Sequence, residues 1–185
     1  LCFLGGFPGP LRDVLGIWAE EIDSLYDGDV NEVTFTEESG LALTHRYKAT
    51  DFCEVIHPES AQVLAEYQRD YYAGMPAVTV NRYGEGKAYY IASRNEAKFH
   101  DDFYGILAEQ LNLTPVLTSH LPHGISVHKR SSAQYDYVFV MNFSDREQMV
   151  QLPKDKGFED LFRHTLADPV IKLGAFGVTV LKTDR

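Results

Sequence analysis

Residues 76–113 read PAVTVNRYGEGKAYYIASRNEAKFHDDFYGILAEQLNL, and the order of elements in this stretch decides how the rest of the chain is read. Val78, Val80 and Arg82 alternate with Thr79, Asn81 and Tyr83, and Lys87-Ala88-Tyr89-Tyr90-Ile91-Ala92 is a second β-rich run. Gly84-Glu85-Gly86 between them predicts a hairpin, with glycine at both ends of the turn able to take positive φ. After Ser93-Arg94-Asn95, apolar residues Phe99, Phe103, Ile106, Leu107 and Leu111 recur at helical spacing. Residues 96–111 are therefore expected to form an amphipathic helix, with Asn95 as its cap.

Outward from this stretch, the patterns are shorter. Leu11, Val14, Leu15 and Trp18 fit one helical face after a Gly/Pro-rich segment at residues 5–16, which predicts a short helix. Asn31–Phe35, Leu41–Leu43 and Phe52–Ile56 read as strands, and residues 59–67 as a helix entered through Pro58. Pro and Gly interrupt the chain between Leu113 and Gly124, and beyond them the periodicity is that of short strands: 125–128, 135–143, 147–152 and 177–181. Residues 123–185 are expected to be a small antiparallel sandwich or barrel.

Composition limits the function classes. With 185 residues, 44% apolar and 12% aromatic, the chain has the makeup of a folded protein. A net charge of -10 and the lack of any Lys/Arg cluster argue against nucleic acid or an anionic membrane as partner. No run approaches the ~20 apolar residues of a transmembrane helix, and there is no signal-peptide pattern. Two cysteines, Cys2 and Cys53, allow one disulfide at most, so a reduced, cytoplasmic setting is the expectation.

Several residue groups invite a chemical reading. Gly84-Glu85-Gly86-Lys87 lacks the spacing, the Ser/Thr and the helix of a phosphate-binding loop. Cys53 with His57 is the nearest nucleophile-and-base pair, but no glycines flank Cys53 to form an oxyanion hole. His120, His123 and His128, and His100 with Asp101 and Asp102, lack the spacing of a zinc site. Glu20, Glu21 and Asp23 are too close in sequence to face one another across a sugar, as a retaining glycosidase requires. Trp18, Tyr26, Tyr71, Tyr72, Tyr89, Tyr90, Tyr135 and Tyr137 could stack on sugars, Tyr135-Asp136-Tyr137 first among them, although core and interface packing is the favoured reading. No catalytic, cofactor-binding or metal-binding residue is assigned.

The segments GGFPGPLRDVLGIWAEEIDSL (5–25), YAGMPAVTVNRYGEGKAYYIASR (72–94), DDFY (101–104) and YVFVMNFSD (137–145) together resemble the C-terminal half of glycoside hydrolase family 42 β-galactosidases. The resemblance implies the later part of the trimerisation domain over residues 1–118, a linker at 119–122 and the terminal β domain over 123–185. It also implies an α/β fold for the first domain, a flavodoxin-like layered sheet similar to class I glutamine amidotransferases and truncated at its N-terminus. Apolar faces around Leu15, Trp18, Val78, Val80 and Phe103 would then lack cover. In such a family the catalytic glutamates sit in a (β/α)8 barrel, which nothing in this chain resembles. The implied role is noncatalytic self-association, as a trimer, within an enzyme that cleaves terminal β-D-galactosides with retention. A carbohydrate-binding β module and an amidotransferase-like Cys-His enzyme are the alternatives.

Overall fold

The computed structural model describes residues 6–117 and 120–185. Cys2, and with it any pairing to Cys53, lies outside the described residues, as do Gly5 at the head of the loop and Ser119 in the linker segment. The chain divides into two compact units, Leu1–Asn112 and Leu113–Arg185.

The first unit opens with a 3-10 turn, Gly9–Leu11, and a one-turn helix α1 (Arg12–Leu15). The expected helix stops there because Gly16 takes φ +64°, and a Cβ at Gly16 would stand 2.5 Å from Ser60 Oγ. The strands that follow are β1 (Ile17–Ser24), β2 (Asn31–Phe35), β3 (Tyr47–Pro58), β4 (Gln62–Tyr67), β5 (Pro76–Tyr83), β6 (Gly86–Ile91) and β7 (Ser93–Asn95), and helix α2 (Ala97–Gln110) closes the unit. They form one sheet in the order β1-β3-β2-β4-β5-β6, with β7 returning to pair with β3. Every pairing is antiparallel.

This arrangement overturns the expected α/β, amidotransferase-like and flavodoxin-like fold. A parallel sheet needs crossover connections of a dozen residues or more, usually helical, on its faces. Here β3 and β4 are joined by three residues and β5 and β6 by two, and α2 is the one long helix among the described residues.

Two helical readings fail for local reasons. Residues 59–67 become a bend followed by β4, because the Gly16 carbonyl holds the N–H groups of Glu59, Ser60 and Ala61 and the next residues pair with both β2 and β5. Trp18 lies in β1, paired across to His57 rather than on a helix. Leu41–Leu43 is a loop whose Leu43 is buried, not a strand. The α2 cap position is Glu96; Asn95 is buried in β7, and its Nδ2 donates to the Ser93 carbonyl at 3.1 Å.

The hairpin does form, with Tyr83 paired to Gly86 around a two-residue turn whose Gly84 has φ +58°. It presents Val78 to a core that also holds Val33, Phe35, Tyr47, Tyr67, Tyr72, Phe99 and Phe103. Val78 and Phe103 are thus covered by the chain's own residues, contrary to the expectation that they lack cover.

The second unit contains β8 (Ile125–Ser131), β9 (Tyr135–Asn142), β10 (Gln148–Gln151), β11 (Glu159–Asp160), β12 (Thr165–Leu166), β13 (Val170–Leu173) and β14 (Val178–Asp184). Five of them make an antiparallel sheet in the order β12-β11-β14-β9-β8, and β10 pairs with β13 in a second. Strand β9 alternates strictly, burying Val138, Val140 and Asn142 while Tyr137 and Phe139 stay on the other face. Val138, Val140, Val150, Leu152, Phe158, Ile171, Leu173 and Leu181 form a mostly aliphatic core.

Candidate functional site

The sequence IWAEEIDS places three carboxylates on β1, and a register shift between Ala19 and Glu21 re-aims them. Glu20 Oε2 lies 2.6 Å from His57 Nε2, and the His57 ring stacks on Trp18 with centroids 4.4 Å apart. Beside this trio, Arg12 Nε donates to Glu59 at 2.7 Å. Asp23 accepts from the Tyr72 hydroxyl at 3.0 Å. Glu20 and Asp23 therefore have separate partners, and Glu21 lies against Tyr71, so the three carboxylates are engaged apart.

Cys53 and His57 are not brought together. They sit four residues apart on the extended strand β3, a separation of about 13 Å at the usual rise. Cys53 is fully buried. Burial pushes its thiol above the usual range, against the hydrogen bonds from Tyr72 and Tyr67 that draw it down. A thiol held protonated is a poor nucleophile, and His57 does not stand beside it.

The histidine groups are scattered as well. Asp102 accepts from Lys98 and from the Tyr47 hydroxyl, at 2.8 Å each, and these contacts hold its carboxyl below the usual range. His100 instead stacks on Tyr104, and His128 meets Ser126 at 3.0 Å. Among the described residues no group of three His, Cys, Asp or Glu side chains could hold a metal ion.

The aromatic residues divide between core and surface. Tyr72 is buried, Tyr89 packs edge-on against Phe103, and the Tyr90 hydroxyl donates to Glu54. In the second unit the Tyr135 ring is covered by Lys182 Nζ at 4.1 Å, itself paired with Glu159, so that face is taken. Tyr137 lies half-buried on the same row. Tyr26 and Tyr71 are exposed.

Two features escaped the sequence reading. Glu54 is buried opposite Tyr90, which no periodicity marks. Arg82 and Lys87 stand directly opposite each other in the hairpin, and the register implied by its turn would have revealed them.

No catalytic constellation is present among these clusters, so the comparisons with known proteins bear on an assembly part. Residues 1–114 match the family model of the β-galactosidase trimerisation domain, and residues 124–183 that of the β-galactosidase C-terminal domain. The chain belongs to the glycoside hydrolase family 42 β-galactosidases. The β-galactosidase Pbg of Clostridium perfringens is 46% identical over 98% of this chain, and BglY of Alicyclobacillus acidocaldarius is 43% identical over 98%. The crystal structure of the β-galactosidase from Rahnella sp. R3 superposes on 100% of this chain with a TM-score of 0.75 at 45% identity. That from Bacillus circulans sp. alkalophilus covers 99% with a TM-score of 0.76 at 37% identity. The chain spans 26% of the length of each of these four relatives. Its residues 1–114 and 124–183 correspond to the trimerisation and C-terminal domains of this family, and the described residues form antiparallel sheets with no (β/α)8 barrel among them.

Proposed function

We propose that this chain is the noncatalytic assembly part of a cytoplasmic β-galactosidase that cleaves terminal β-D-galactosides with retention in galactose metabolism. One observation carries the reading: two domain matches in this order, on a chain whose Glu20 and Asp23 are engaged separately. Retaining hydrolysis needs two carboxyl groups about 5 Å apart across a sugar pocket, and in the proposed enzyme a (β/α)8 barrel outside this chain supplies them. The domain limits 1–118 and 123–185, joined at 119–122, belong to the same proposal.

The proposed partner is a second and third copy of the same protein, joined as a trimer. The name of the matched domain supports it, and so do the exposed apolar side chains Ile22, Tyr71 and Phe52 on the first unit. Sedimentation equilibrium of the full-length protein tests this: a mass three times that of the protomer is expected, and a monomer at every concentration overturns it.

A further inference from the structure

We infer that the loop of residues 25–30 on one copy of this chain seats its Tyr26 ring in the groove between the β5–β6 hairpin and α2 of a second copy. The inference rests on the assembly role proposed above and assigns the two surfaces that carry it. An odd-numbered ring cannot be built from one self-complementary patch; it needs two different surfaces that fit each other. A chain of net charge -10 also repels its own copies, so a contact between them gains from a local basic surface meeting an acidic one.

The basic surface is the groove. Arg82 and Lys87 face each other across the hairpin, both exposed, and like charges placed so destabilise a strand pair. Neither takes part in an ion pair among the described residues, whereas Arg12, Arg46, Arg69, Arg94 and Lys98 do. The two cations rim a groove of about 460 Å³ floored by Tyr89, Leu107 and Leu111, with Glu85 at the turn as its one acid. That space takes a tyrosine side chain and leaves the rim to neighbouring charges.

The acidic surface is the loop between β1 and β2, Leu25-Tyr26-Asp27-Gly28-Asp29-Val30. Both ends of the loop are anchored. Leu25 packs against the first core and donates its N–H to the Asp51 carbonyl at 2.9 Å, and Asn31 Nδ2 donates to the Arg69 carbonyl at 3.0 Å. Gly28 at φ +93° lets the Asp29 N–H close a turn on the Tyr26 carbonyl, also at 2.9 Å. Tyr26 is left 83% exposed beside two exposed carboxylates, Asp27 and Asp29. Other exposed tyrosines next to acids are engaged: Tyr71 lies against Glu21, and Tyr104 stacks on His100. The side chains of Tyr26, Asp27 and Asp29 have no partner among the described residues. A ring held ready on an anchored turn can be buried by another copy at little ordering cost.

The strand register puts loop and groove at opposite ends of the sheet, so the loop cannot reach the groove of its own copy. In the contact the Tyr26 ring covers Leu107 and Leu111. Asp27 and Asp29 approach Arg82 and Lys87 and relieve their mutual repulsion.

The test is sedimentation equilibrium of the full-length protein with Tyr26→Ala, with Asp27→Lys and Asp29→Lys together, with Arg82→Glu and Lys87→Glu together, and with all four charge changes. Tyr26→Ala and each double reversal are expected to raise the trimer dissociation constant at least about tenfold, and the fourfold change to recover most of that loss. Circular dichroism spectra should match the wild type throughout, which separates weakened association from unfolding. The milder pair Arg82→Gln and Lys87→Gln adds no new charge and should weaken the trimer in the same direction. A trimer indifferent to these changes, as when another part of the full-length protein covers either surface, overturns the assignment and leaves the assembly role standing. So does a loss that the fourfold change fails to recover. A wild-type protein that never associates overturns the assembly role itself.

Discussion

The two units are built on antiparallel sheets but stabilise their interiors differently. The first core is aromatic and hydroxylated: Phe35, Phe99 and Phe103 stack within 6 Å of one another, and Tyr47, Tyr67 and Tyr72 are fully buried beside them. Each of these three tyrosine hydroxyls has a partner, such as Tyr67 to the Ala92 carbonyl at 2.6 Å. The second core is mostly aliphatic, with Phe158 its one ring among the described residues, and several of its directional contacts gather on Asn142. Asn142 Nδ2 donates to the carbonyls of Arg146, Leu173 and Gly174, while its Oδ1 accepts from the Ser144 N–H. One unit fixes its packing through a network of phenols spread through the core; the other ties two loops to a single amide.

The contrast can be broken by mutation. Phe103→Ala removes the ring that links α2 to Phe35 and Tyr89, and should destabilise the first unit by about 3–5 kcal/mol. Segment-resolved hydrogen exchange should show protection lost in residues 6–112 while residues 125–184 keep theirs. Asn142→Ala strands the carbonyls of Leu173 and Gly174 and should cost about 2–3 kcal/mol, with the loss confined to the second unit.

A smaller effect follows from pH. Burial raises the tyrosines at 47, 67, 72 and 90 above their usual value, with contacts to Asp102, Asp23 and Glu54 adding to the rise at three of them. A group whose folded value is raised contributes stability that is fully present below its unfolded value, about 10 for tyrosine, and lost as pH rises through the folded values. The second unit has no tyrosine in its buried core. Alkaline titration should therefore loosen the first unit before the second, as read by phenolate absorbance against segment-resolved exchange.

The difference between the units also bears on what the sequence reveals. The hairpin at 76–91, strand β2, helix α2 and the alternation of β9 were legible because each is a local pattern with its own turn or period. Strands β1 and β4 were not. Ala, Glu and Leu in IWAEEIDS and QVLAEY carry no strong strand preference, and pairing to neighbours on the sheet decides them. Likewise Gly16 ends α1 in a left-handed conformation at a place where Ser60 and Asn81, far away in sequence, leave no room for a Cβ. The family resemblance suggested a parallel layered sheet, although the short connections between strands permit only antiparallel pairs. At the candidate sites, local reasoning could weigh Cys53 and His57 as a pair, but their separation along one strand and the burial of the thiol needed the fold.

The most direct test of a noncatalytic role is hydrolysis of a nitrophenyl β-galactoside by the purified 185-residue chain. Glu20 is held by His57 and Glu54 is buried against Tyr90, so neither is free to act across a sugar pocket, and the rate should equal that of buffer. Turnover above buffer that disappears in Glu20→Gln or Glu54→Gln would contradict the account.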